Sequence, residues 1–126
     1  MKKVYVLFIL FAFLTFPVFA QFSKYIVGFK DKAGTPFSLN NPSAFLSLKA
    51  IERRKKQNIA IDETDLPITP RYIDSIRLAG NVTILDNSKW LNQVCIQTND
   101  VAALAKINSF PFVITSQPVM KPVGLQ

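Results

Sequence analysis

The chain reads as an α+β domain, a ferredoxin-like sandwich whose four-stranded antiparallel sheet carries helices on one face. Three observations predict it. Segments with a two-residue apolar period alternate with segments of helical period. Their order is strand, helix (doubled), strand, strand, helix, strand, which is the split β-α-β pattern. The segment that bears this pattern, after a leader at 1–20, is 106 residues long, the size of one domain. No internal repeat or low-complexity stretch interrupts it.

The leader has its own logic. Lys2 and Lys3 form a positive start, and Val4 to Phe16 is almost wholly apolar, broken by Thr15. Pro17 disfavours further helix, and Val18 and Ala20 stand three and one residues before a cut between Ala20 and Gln21. That is the layout of a cleavable secretory signal. A membrane-spanning helix needs about 20 apolar residues, and this run is shorter. No cysteine follows the small-residue box, so neither a lipid anchor nor stable membrane anchoring is expected. The chain is expected to be exported to a periplasmic or extracellular location.

The elements follow in order. Lys24 to Lys30 reads as a strand with Tyr25, Val27 and Phe29 on one face. Asp31 to Asn41 is a polar loop. A helix is expected to start with Asn41 as N-cap and Pro42 in the first position, bearing a stripe of Ala44, Phe45, Leu48 and Ile51. Arg53, Arg54, Lys55 and Lys56 close it, where the negative end of the helix dipole favours cations. After a connector from Asn58 to Pro67, a second helix is expected from Thr69 and Pro70, with Tyr72, Ile73, Ile76 and Ala79 inward and Gly80 as a left-handed stop. Val82 to Leu85, a turn at Asp86-Asn87-Ser88, and Trp90 to Thr98 read as a hairpin. Asn99 is the expected cap of a third helix over Asp100 to Asn108, with Val101, Leu104 and Ala105 inward. Phe112 to Thr115 is the last strand, and Gln117 to Gln126 a tail.

In the hairpin strand, Trp90, Val94 and Ile96 fall on one face, and Leu91, Gln93, Cys95 and Gln97 on the other. No helix is left to cover that second face. It is either a docking surface or a solvated sheet with scattered apolar residues.

Composition excludes most chemistry. Without residues 1–20, 13 basic side chains face 8 acidic ones, a mild excess concentrated at 53–56. A nucleic-acid binder would show a broader basic stripe with interleaved aromatics, so no nucleic acid is expected as partner, and the run reads as a solvated helix end. The chain has no histidine, so neither a Ser-His-Asp nor a Cys-His site can be assembled within it. One cysteine, Cys95, forms no internal disulfide and reads as a small packing residue. No ordinary zinc ligand set and no glycine-rich phosphate loop is present. Asp62-Glu63-Thr64-Asp65 lacks the ligand spacing of a calcium loop and reads as a solvated connector. No catalytic residue, cofactor or metal is expected.

Particular residues nonetheless resemble a family. They are the leader, Lys24 to Lys32, the run from Ser38 to Arg77, and Asn87 to Val94. The middle run is the most specific, with Asn41-Pro42-Ser43, Ala50 to Arg54, Asp65-Leu66-Pro67 and Tyr72 to Ile76. In this order and spacing they resemble the prepro region of secreted bacterial subtilisin-like serine proteases, from Met1 to about Pro118. The resemblance implies a prodomain at 21–117 that templates folding of the protease domain and then inhibits it. It implies an open sheet face laid on the enzyme. It implies a tail threaded into the cleft, matched in position by Thr115, Ser116, Gln117, Pro118, Val119 and Met120. Residues 118–126 would then lead toward a catalytic domain with Asp, His and Gly-Thr-Ser motifs, none of which occurs in these 126 residues. The expectation is a precursor fragment that is not itself an enzyme, whose full-length form is a serine endopeptidase. A stand-alone secreted inhibitor, or a secreted binding module without a protease partner, are the alternatives. A prodomain with one bare sheet face is also expected to be marginally stable alone.

Overall fold

Alternating apolar side chains build the sheet, and the computed structural model describes it within residues 23–119. The expected leader with its Ala20–Gln21 cut, and Met120 onward, lie outside the described residues. In chain order come β1 (Ser23–Phe29), α1 (Leu48–Lys56), α2 (Pro70–Arg77), β2 (Thr83–Ser88), β3 (Gln93–Thr98), α3 (Val101–Ser109) and β4 (Val113–Pro118). Single 3-10 turns stand at Pro42–Ala44 and Glu63–Asp65. The sheet order is β2-β3-β1-β4 with every neighbouring pair antiparallel. The α+β sandwich is therefore as the sequence predicts.

One side of the sheet is the core side. Val27 and Phe29 of β1 and Val94 and Ile96 of β3 pack with Ile68, Tyr72, Ile76 and Ile107, all buried. The Tyr72 ring stacks on Phe112 with centroids 4.1 Å apart, and its hydroxyl donates to Asp31 Oδ1 at 2.6 Å. A buried Tyr needs such a partner for its polar end.

The first helix departs from expectation. Asn41 caps nothing; its Oδ1 accepts from the Ser43 hydroxyl at 2.8 Å, and the Pro42 turn ends at Ala44. Ser47 instead caps α1, its Oγ accepting from the Ala50 amide at 3.2 Å. The single stripe breaks between Phe45 and Leu48, and α1 buries none of its side chains. Leu48 is 72 % exposed. Five cations in nine residues leave too little apolar surface to hold this helix on the sheet. It is tied down by polar contacts: Arg54 pairs with buried Asp65 and donates to Ala60 O at 3.1 Å. Lys32 Nζ secures the connector, donating to the carbonyls of Glu63, Thr64 and Leu66 at 3.0, 3.1 and 2.6 Å.

Gly80 is not the helix stop that the sequence predicts. It is not in the left-handed region; the helix closes at Leu78. A Cβ at Gly80 would stand 2.6 Å from Asp100 Oδ2 and 2.7 Å from Ala103 Cβ, so close packing on α3 requires the glycine. Gly80→Ala is expected to cost about 1–3 kcal/mol through overpacking, read as a lowered urea midpoint.

The hairpin is longer than expected. Asp86, Asn87 and Ser88 belong to β2, after a bulge between Ile84 and Asp86, and the loop lies at Lys89 to Asn92. Asn92 decides this. It adopts φ 51°, which asparagine tolerates better than most residues, and its amide donates to Phe29 O at 3.0 Å and Asp31 O at 2.9 Å. Trp90 and Leu91 are consequently in the loop, 63 % and 68 % exposed, and Trp90 does not join Val94 and Ile96. In α3 the cap is Asp100, whose Oδ1 accepts from Ala103 N at 2.9 Å, not Asn99. The buried residues are Ala103 and Ile107, whereas Val101 is 80 % exposed and Ala105 is exposed. Ala103 and Ile107, four residues apart, form the line that meets the core, and Leu104 is partly buried beside them.

Three carboxylates stand below the ordinary range. Asp31 is lowered by the Tyr72 hydroxyl and then the Ala33 amide, Asp62 by the Thr64 hydroxyl and amide, and Asp100 by the amides of Ala103 and Asn81. Each folded pKa lies below its unfolded value near 3.9, so the unfolded state binds more protons in acid. Their contribution is present above the unfolded pKa and is lost as pH falls through the folded one. Urea midpoints are therefore expected to be flat above about pH 5 and to fall below about pH 4.

Candidate functional site

The sheet's second face follows from the pleat. With Val27, Phe29, Val94 and Ile96 turned into the core, their neighbours Ile26, Gly28, Gln93, Cys95 and Gln97 turn away from it. Register places Ile26 opposite Cys95 on one side and Gln117 on the other. Thr83, Asp86 and Ser88 of β2 stand opposite Gln97, Cys95 and Gln93. Thr115 stands opposite Gly28, and a Cβ on that glycine would meet Thr115 Oγ1 at 2.5 Å. None of the three helices contributes to the buried cluster from this side: Tyr72, Ile76 and Ile107 all pack with the core residues. Ile26, Gln93, Cys95 and Gln97 are each half-buried.

The face is thus apolar at its centre, amide- and hydroxyl-rich around it, and carries Asp86 on β2 and exposed Lys24 on β1. Exposed Leu85 and Ile114 lie at the two irregular points of the outer strands. The hairpin tip, with Trp90 and Leu91, extends from the end marked by the Ser88–Gln93 pair. Lys89 Nζ lies 4.9 Å from the Trp90 ring centroid. An open sheet of this composition exposes apolar surface and amide hydrogen-bonding groups side by side.

Of the expected cleft residues, Thr115, Ser116, Gln117 and Pro118 lie in β4, paired with Gly28, Val27, Ile26 and Tyr25. The last strand therefore runs past Thr115, and Gln117 and Pro118 are not tail. The Val119 amide donates to Lys24 O at 2.8 Å, continuing the same direction. Met120 lies outside the described residues. Because β4 is an edge strand, its outer backbone groups stay free to pair with an added strand. Ile26, Thr83, Asp86 and Ser88 were missed as face residues in the sequence, although the same alternation that put Tyr25 and Val27 inward marks Ile26 as outward.

Among the described residues, no group of three His, Cys, Asp or Glu could hold a metal ion. No helix among them is long and apolar enough to cross a membrane.

Residues 24–124 match the family model described as Peptidase S8 propeptide domain, Bacteroidota. No curated protein and no solved structure matches the chain. A match over this span, on a sheet with one face left bare by its helices, identifies the chain as a member of the Peptidase S8 propeptide domain family of Bacteroidota.

Proposed function

We propose that this domain is the folding chaperone and inhibitor of a subtilisin-like serine protease domain, exported behind a leader at 1–20 that is cut between Ala20 and Gln21. The observation that carries the reading is the sheet face without helices, whose centre at Ile26 and Cys95 is half-buried before any partner covers it. Docking a folded protease there removes that apolar surface from water and stabilises the enzyme by mass action. The tail lies in the substrate cleft as an added strand, beginning where β4 ends at Pro118. Residues beyond Met120 then serve as the linker to the catalytic part of the precursor.

The test is a titration of the chain from Gln21 to Gln126 against an active subtilisin-like protease. Residual activity is expected to fall to near zero in the nanomolar to micromolar range. Cys95, the only cysteine, supplies an independent footprint on the same face. Its alkylation by a maleimide is expected to slow about tenfold or more when the protease is bound, because the docked enzyme removes the thiol from solvent. Full protease activity, with Cys95 alkylated at an unchanged rate, would sink the reading and leave a binding module without a protease partner.

A further inference from the structure

We infer that Arg53-Arg54-Lys55-Lys56 is a processing site, cut by an endopeptidase that requires a basic residue before the scissile bond, and that the cut disables the domain. The effect on docking rests on the proposed function; the position of the cut does not.

Four observations support it. The run is the longest stretch of cations in the chain. Arg53, Lys55 and Lys56 are exposed, and Arg54 alone is engaged, by Asp65 and Ala60. The helix that carries them buries no side chain, so opening it breaks its own hydrogen bonds, the Ser47 cap and the Arg54–Asp65 pair, and no core packing. Its nine residues fall short of the roughly 12–15 that an isolated helix needs to persist. Segments of this kind open locally at low cost and are where proteases enter.

Several of the other cations are held differently. Arg71 and Arg77 ride on α2, anchored by buried Tyr72 and Ile76, and Lys106 on α3, anchored by Ala103 and Ile107. The Lys32 ammonium is bound by three carbonyls, and Lys24 lies in β1, inside the sheet.

Hydrolysis after Lys56 breaks one peptide C–N bond. The hydroxyl of water goes to the acyl carbon of Lys56, and its proton to the new amine of Gln57. Topology makes this single cut consequential. Every covalent path from β1 to the rest of the sheet runs through α1, and β1 is the strand between β3 and β4. Linked, β1 sees its partners at an effective concentration on the order of millimolar. Severed, at micromolar chain concentration, it loses about a thousandfold of that advantage. The face loses Ile26 and Gly28 with it.

The experiment uses trypsin at a low ratio as the basic-specific probe on the chain from Gln21 to Gln126, with the first products identified by mass. The first cut is expected within 53–56; a first cut anywhere else, including Lys89 at the hairpin tip, overturns the inference. The triple variant R53Q/K55Q/K56Q keeps the Arg54–Asp65 pair and is expected to slow nicking about tenfold or more, because only the engaged cation remains. Intact and nicked chains are then titrated against an active subtilisin-like protease after trypsin is blocked. Nicking is expected to weaken inhibition about tenfold or more and to let the two pieces separate on gel filtration. A nicked chain that inhibits as well as the intact one overturns the disabling role. Failure of the intact chain to inhibit would instead overturn the proposed function, leaving the cut position to be judged by mass alone.

Discussion

Ile26→Glu is expected to weaken inhibition of a subtilisin-like protease by about 100-fold or more, roughly 2.7 kcal/mol, while leaving the domain folded. Ile26 lies in β1, between β3 and β4, and faces away from the core with Cys95 and Gln117 beside it. Residues at the centre of a docking patch dominate its energetics. A glutamate there would be stripped of water by the partner, and Lys24, two residues along the same strand face, offers it a solvated cation on a flexible stem and not a buried partner. In the free domain the position is only half-buried, so the carboxylate keeps its hydration. The remaining penalty is the poorer strand propensity of glutamate, at most about 1 kcal/mol, or a melting shift of about 4–8 °C. Inhibition constants and melting curves measured side by side separate the two effects. Inhibition matching the parent chain, with the variant folded, would remove this face from the docking surface.

Much of this was legible in the sequence, and what was not has physical causes. The two-residue period of Tyr25, Val27 and Phe29, and of Val94 and Ile96, placed the core side of the sheet, and the helical spacing of Tyr72 and Ile76 placed α2. These are fully buried positions, where pattern and packing demand the same residue type. The errors fall at element ends. Asn41-Pro42 reads as the helix start, but the Asn41 side chain caps no amide, whereas the Ser47 hydroxyl accepts from an amide three residues on. Asn99 reads as the cap of α3, but Asp100 holds that place and also accepts from Asn81 N at 3.1 Å, a contact between distant segments that no local window contains. Gly80 reads locally as a left-handed helix stop, but its cause is Asp100 and Ala103 at the start of α3, again a tertiary fact. The detachment of α1 from the sheet was partly readable. Five cations beside few apolar residues argue against core packing, and that weight was assigned instead to the solvated end of a packed helix.

Ile76→Ala is expected to remove most of the stability of the isolated chain, yet to be partly rescued by a protease partner. Ile76 is fully buried between α2 and the sheet, among Val27, Val94 and Ile96. Truncation to alanine at such a site costs about 2–5 kcal/mol, lost transfer energy plus the cavity left behind. Domains of this size are stable by only about 5–15 kcal/mol, and a sheet buried on one side belongs at the low end. Near-UV circular dichroism of the variant alone should therefore weaken, and its urea midpoint should fall severely. A partner at 100 times its dissociation constant returns about 2.7 kcal/mol by binding only the folded form. Inhibition should then persist with apparent affinity reduced by the folded fraction, and should recover as protease concentration rises. The Ile26 variant should behave oppositely, folded alone and not recovered by excess protease, because there the lost energy is in the contact and not in the fold. If Ile76→Ala left both melting and inhibition unchanged, the helix-covered side of the sheet would not be the core on which the bare side depends.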